Sequence, residues 1–366
     1  MTFDERVHAI AKFGPTHRQA RFLVQVMLHA GVCLPRQYAA FAGTAYGHKA
    51  SRFFSRLVER GYASAAGCVH NRARVYHVHH RPLYRAIGEP ESAHRRPVPA
   101  SRMMERLMVL DAVIASPEVV WLGTTEEKVA NLMVLTGLTP DRLPQLPGGL
   151  GAKRTVRFFP ERLPIGVQLE GRAVLLFALT EASTTELRPF LQRHLGLLQS
   201  LRAWTLRLLI PPHLSGIEQR LDRLVRYDLT AVPACTFDEL RWYFQERRAR
   251  ANATASAPDE WRYQRARRAF RSPRYEGLYR VWLWQGDHVL EQARSPQIQT
   301  ALDRGAGRIE WCVLPHPYRH LSPLVAEGAR RLAGVEEGDT SPTQPRPRGH
   351  LGACDGTVTT DGPRPN

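Results

Sequence analysis

Three glycines, Gly31, Gly43 and Gly61, cut the stretch from His17 to Tyr62 into pieces too short to continue as one helix. Each piece carries apolar residues at helical spacing. After the start signal Gly14-Pro15-Thr16, His17–Ala30 sets Phe22, Val26 and His29 or Ala30 on one face, with Leu23 and Met27 beside them. Val32-Cys33-Leu34 reads as a short extended piece, and Pro35 suits the first turn of a second helix, Pro35–Ala42. A third helix, from about Tyr46 to Arg60, buries Ala50, Phe53, Phe54, Leu57 and Val58. Its other face shows Tyr46, His48, Lys49, Ser51, Arg52, Ser55 and Arg56. Two extended runs, Tyr62–Val69 and Arg74–His79, then flank the polar residues His70, Asn71, Arg72 and Ala73, the pattern of a hairpin. Three helices and a basic hairpin are the order of a winged helix-turn-helix, expected over residues 1–88.

Charge singles out the same region. Residues 1–100 hold 15 Lys and Arg against 5 Asp and Glu, so +10 of the chain's +17 lies there. Arg supplies 47 of the 51 bases, a skew that GC-rich coding produces without any function, so position carries more weight than the total. No acid occurs from Gly47 to Val58. A solvated amphipathic helix is the plain alternative, but an acid-free outer face followed by a basic turn favours a polyanion. A helix that fills the major groove needs side chains for base edges and phosphates, which Tyr46, His48, Lys49, Ser51 and Arg52 offer. Arg36, Arg56 and the hairpin residues His70, Asn71, Arg72 and Arg74 are expected to hold the sugar-phosphate edge.

The runs Leu34–Gly43, Lys49–Tyr62 and Arg74–Val78 together resemble the winged-helix part of the replication-relaxation family, proteins borne by plasmids and conjugative elements. The similarity covers about 75 residues. It implies duplex-DNA binding as a transcription regulator, or as a replication or transfer accessory protein of a mobile genetic element. Replication or conjugation proteins become candidate partners.

Beyond the module, Ile87–Ser101 has three prolines and no hydrophobic period, so residues 89–101 read as a linker. Ser101–Ala115 reads as a connecting helix with a face for a homodimer. Glu118–Leu122 reads as a strand, and Thr124 with Glu127 as the capping box of a helix to Leu135. Runs at Val156–Phe159, Gly166–Leu169 and Ala173–Leu179, the helix Thr184–Leu201 and the strand Thr205–Ile210 suggest a small α/β sheet with a crossover. Helices from about Ser215, Thr236, Glu260 and Tyr275 and a strand Arg308–Leu314 complete residues 102–332. The Pro- and Gly-rich residues 333–366 are expected to be disordered. The fold class is therefore α+β.

The resemblance implies that this second domain is nuclease-like, of the PD-(D/E)xK type. Its motif places correspond to Pro160-Glu161 and to Leu179-Thr180-Glu181, where one acid and the lysine are missing. Glu161 and Glu181 alone are too few to converge on Mg²⁺. The expectation is a degenerate domain and no enzymatic activity, with a metal-dependent endonuclease of a mobile element as the alternative.

Other constellations are weaker. His77-Val78-His79 resembles the metal-ligand motif of rolling-circle nucleases, but two strands of a wing do not supply the sheet such a site needs. Cys312, His316 and His320 are interrupted by Pro315 and Pro317. The five cysteines form no CxxC pair, and no phosphate-cradling glycine motif occurs, so no metal or cofactor is expected. Arginines and aromatics interleave from Arg241 to Arg274, the pattern of a second nucleic-acid surface or of a core with a solvated face. Acids stand where a signal peptide has bases, and apolar runs such as Ala173–Leu179 fall far short of roughly 18 residues, so the expected location is cytoplasmic.

Overall fold

The computed structural model describes residues 1–45, 47–67, 73–148, 155–159, 164–252 and 259–318, and the architecture is mixed α+β. It opens with α1 (Phe3–Ala11), whose Thr2 and Glu5 form a reciprocal capping box. α2 (His17–His29) starts the same way on Thr16 and Gln19. β1 (Val32–Cys33), α3 (Pro35–Ala42), α4 (His48–Glu59), β2 (Ala63–Gly67) and β3 (Arg74–Val78) follow in the expected order. The three strands form one antiparallel sheet in the order β1-β3-β2. β3 is thus a middle strand, and Val75, Tyr76, His77 and Val78 are all buried. His77 is buried with them and not turned to solvent. Its ring lies 3.2 Å from the carbonyl oxygen of His94.

That contact belongs to the stretch read as a linker. α5 (Arg81–Ala86) and a 3₁₀ turn (Ala93–Arg95) lead to α6 (Ala100–Ile114), and the chain between them is folded onto the module. Gly31, at φ 73°, shows how closely. A Cβ there would stand 2.2 Å from the His94 carbonyl oxygen, so only glycine allows the approach. Arg81 and Glu91 pair at 2.5 Å, and Arg95 donates to the Pro90 carbonyl.

α6 is covered on both sides. Met103, Leu107, Met108, Val109, Ala112 and Val113 join the core of the body, while Leu110 joins the core of the module. At about 1.5–3 kcal/mol for each large side chain removed from water, this seam is a principal source of cohesion. The apolar face expected to serve a homodimer is therefore already used within the chain.

The body continues with β4 (Val119–Leu122), α7 (Thr125–Thr136), β5 (Gln145–Gly148), β6 (Thr155–Phe158), β7 (Ile165–Gln168) and β8 (Ala173–Ala178). Then come α8 (Leu187–Ser200), β9 (Trp204–Ile210), α9 (Glu218–Leu229), α10 (Phe237–Ala251), α11 (Glu260–Ala269), α12 (Pro273–Gln285), α13 (His288–Ala293), α14 (Gln297–Asp303) and β10 (Gly307–Val313). The main sheet has the order β10-β9-β8-β7-β4. β8, β9 and β10 are parallel, and β8–α8–β9 is the expected crossover. The run at Val156–Phe159 does not join this sheet. It forms β6, which pairs with β5 in a separate hairpin, and β4 takes the outer place beside β7. The segment read as disordered, 333–366, lies outside the described residues.

Three buried histidines follow from this packing. Burial holds His29 and His194 neutral down to about 3 and His77 down to about 4, against a usual value near 6.5. Below pH 6.5 the unfolded chain takes up these protons and the folded chain does not. Stability therefore rises with pH in that window, by about 1.4 kcal/mol per pH unit for each histidine. Urea unfolding should give a midpoint that falls steadily from pH 6.5 to 4.5. Replacing His194 by Gln should flatten the acid limb.

Candidate nucleic-acid interface

α4 is held by aromatic packing. Tyr38 of α3 lies 4.9 Å from Phe53, and Phe54 lies 4.5 Å from Tyr76 of β3, ring centre to ring centre. Phe22 of α2 closes the cluster against Tyr38 and Phe54. Ala50, Phe53, Phe54 and Leu57 are buried, so helical periodicity turns the intervening residues outward. Val58, expected inward, is 41% exposed beside them.

The outward face carries His48, Lys49, Ser51, Arg52, Ser55 and Arg56, all exposed. Among the described residues Lys49, Arg52 and Arg56 have no ion pair, and no side chain caps the N-terminus of α4 at Gly47. Unfilled N–H groups at that end, with Lys49 in the first turn and Arg52 in the next, produce a positive field that Arg56 extends along the face. A shallow groove runs beside this face, lined by Thr16, His17 and Arg18 of the α2 start and by Lys49, Arg52 and Arg56. His17 and Arg18 were not singled out by the sequence pattern. The available signal was a first helical turn without any acid, where acids normally complement the helix dipole.

The other expected contacts divide. Arg74 is exposed at the start of β3, paired in register with Gly67 at the far end of β2. Tyr46, His70, Asn71 and Arg72 lie outside the described residues. Arg36 does not join the basic face. Its guanidinium makes two 2.8 Å bonds to the Asp111 carboxylate of α6 and lies 5.5 Å from the centre of the Tyr318 ring. Asp111 also accepts the Tyr318 hydroxyl. Arg36 is a tie between the module and the body, its charge balanced by Asp111.

In the body, Glu181 is exposed in the loop after β8, whereas Pro160, Glu161 and His320 lie outside the described residues. Among the described residues, no three His, Cys, Asp or Glu side chains converge as metal ligands do. Many arginines of the Arg241–Arg274 stretch are occupied. Arg247 pairs with Glu276 at 2.7 Å, Arg250 with Glu260 at 2.8 Å and Arg262 with Glu239 at 2.9 Å. Within the described residues, no helix is long and apolar enough to cross a membrane. No family model, no curated protein and no solved structure matches the chain.

The two classes of basic residue should separate by stability. Arg36→Ala leaves Asp111 with its carboxylate uncompensated and should cost on the order of 3 kcal/mol in urea unfolding. Lys49→Ala and Arg52→Ala, on an exposed face, should each stay within about 0.5 kcal/mol of the parent.

Proposed function

We propose that residues 17–78 act as a winged helix-turn-helix that binds duplex DNA, with α4 in the major groove and the β2–β3 hairpin against the flanking backbone. An α-helix with its side chains is about 10–12 Å across and the groove is about 12 Å wide, so one helix face reads one stretch of base edges. The observation that carries the reading is the outer face of α4: exposed, free of acid from Gly47 to Val58, and with three bases left without ion pairs among the described residues. Lys49, Arg52, His48 and Ser51 would meet bases and near phosphates. Arg56, with Arg18 and His17 across the groove, would hold one strand. Tyr46, His70, Asn71 and Arg72 stay in the proposed DNA-binding set, with Arg74 at the start of β3. Arg36 is replaced in the phosphate set by Arg18.

The particular role that fits this class is a regulator or replication/transfer accessory factor of a plasmid or conjugative element, acting in the cytoplasm. The resemblance of Leu34–Gly43, Lys49–Tyr62 and Arg74–Val78 to the replication-relaxation family supports it. In this reading the body is a non-catalytic platform that needs neither metal nor cofactor.

Fluorescence anisotropy with a duplex at several salt concentrations tests the proposal. Each charge removed from a phosphate contact should reduce the slope of log affinity against log salt by about 0.9. Lys49→Ala/Arg52→Ala/Arg56→Ala should bind on the order of a hundredfold more weakly at low salt, with a shallower slope. Affinity and slope equal to the parent's would refute duplex binding by α4. Mg²⁺- or Mn²⁺-dependent nicking of a plasmid, abolished by Glu161→Ala or Glu181→Ala, would replace this reading with a nuclease.

A further inference from the structure

The arginine-rich helices of the body hold two kinds of arginine. Those on the inner side are balanced: besides the pairs of Arg247, Arg250 and Arg262, Arg241 stands 3.4 Å from Asp287. Those on the outer side of α11 are not. Arg265 and Arg268 are exposed and have no ion pair among the described residues. With them stands Trp261, 70% exposed, with the Arg265 guanidinium 5.1 Å from the centre of its ring.

The placement follows from the helix. Ala266 is buried and Phe270 closes the C-terminal end of α11 against Tyr243 at 5.7 Å. Tyr263 lies between the Tyr243 ring, at 5.6 Å, and the Arg250 guanidinium, at 3.7 Å. With that side anchored, positions 261, 265 and 268 fall on the opposite side within one narrow stripe, at spacings of four and three residues. Beside the stripe, Gln264 donates to the Glu260 carboxylate, an acid that Arg250 already balances at 2.8 Å. An indole that the core does not use, flanked by unbalanced guanidinium groups, is a stacking platform with phosphate holders beside it. Duplex DNA hides its base faces; a single strand presents them.

We propose that the outer stripe of α11, Trp261, Arg265 and Arg268, binds single-stranded nucleic acid by stacking one base on the indole and holding adjacent phosphates on the two arginines. This surface is separate in sequence and in composition from α4 and does not depend on duplex binding there.

The test uses the full chain and a fluorescein-labelled oligothymidine of about 20 nucleotides, with a duplex probe alongside. The chain should bind the oligothymidine, and Trp261→Ala should weaken that binding on the order of tenfold while leaving duplex affinity unchanged. Trp261→Phe, which keeps a stacking face, should recover most of the loss. Arg265→Ala/Arg268→Ala should weaken single-strand binding and flatten its salt dependence. Lys49→Ala/Arg52→Ala should leave it intact, which separates failure of this surface from failure of the α4 reading. All these residues are exposed, so thermal melting should match the parent's. No binding of oligothymidine by the parent would overturn the proposal. So would parental affinity in Trp261→Ala, or a parallel loss on duplex and single strand.

Discussion

Asp111 is where three separate parts of the chain are tied. From α6 its carboxylate accepts from both terminal guanidinium nitrogens of Arg36, at the start of α3, and from the hydroxyl of Tyr318, just beyond β10. Burial, together with the carboxylate, keeps that hydroxyl protonated and able to donate. Gln37, next to Arg36, accepts from the Leu34 N–H and donates to the Leu107 carbonyl of α6. α3 is thereby fixed to α6, and α4 is fixed to α3 through Tyr38 and Phe53. A second tie runs from Arg6 of α1 to Glu127 of α7 at 2.6 Å. The basic face of α4 is consequently held in a set direction by the body, with little freedom to reorient as a tethered reader would.

This arrangement bears on what the body contributes. Breaking the Asp111 network leaves a charge without compensation in a place water reaches poorly, so the network resists partial opening. Another contact of α2 with the body is close as well: a Cβ on Gly123 would stand 2.7 Å from the Leu28 side chain. If α4 reads DNA as proposed, this rigidity lowers the ordering cost of binding. It also places any second surface of the body at a fixed distance from the first.

Local patterns were legible in the sequence. Gly31, Gly43 and Gly61 end their segments at positive φ as read, Thr124 and Glu127 form their capping box, and β8–α8–β9 is the anticipated crossover. The stripe of α4 was legible too, since residues three and four apart share a face whatever surrounds them. What escaped depends on distant partners. Nothing near Arg36 announces Asp111, which lies 75 residues away. Proline and glycine around 89–101 suggest a tether, and only the His94 carbonyl over Gly31 shows the segment folded down. The run at Val156 has strand chemistry but no local mark of which sheet it enters. α1 carries a local signal too, in the capping box of Thr2 and Glu5 and the apolar pair Val7 and Ile10 three residues apart.

The central claim is that the outer face of α4 lies against duplex DNA. Cross-linking from a single introduced thiol tests it most directly: Ser51→Cys on that face, and Val134→Cys on α7, 86% exposed in the parent, each carrying a photoactivated aryl azide. The account predicts salt-sensitive cross-links to duplex bases from position 51 and none from position 134. Cross-links from 134 alone, or from neither position under conditions where the duplex is bound, would contradict it.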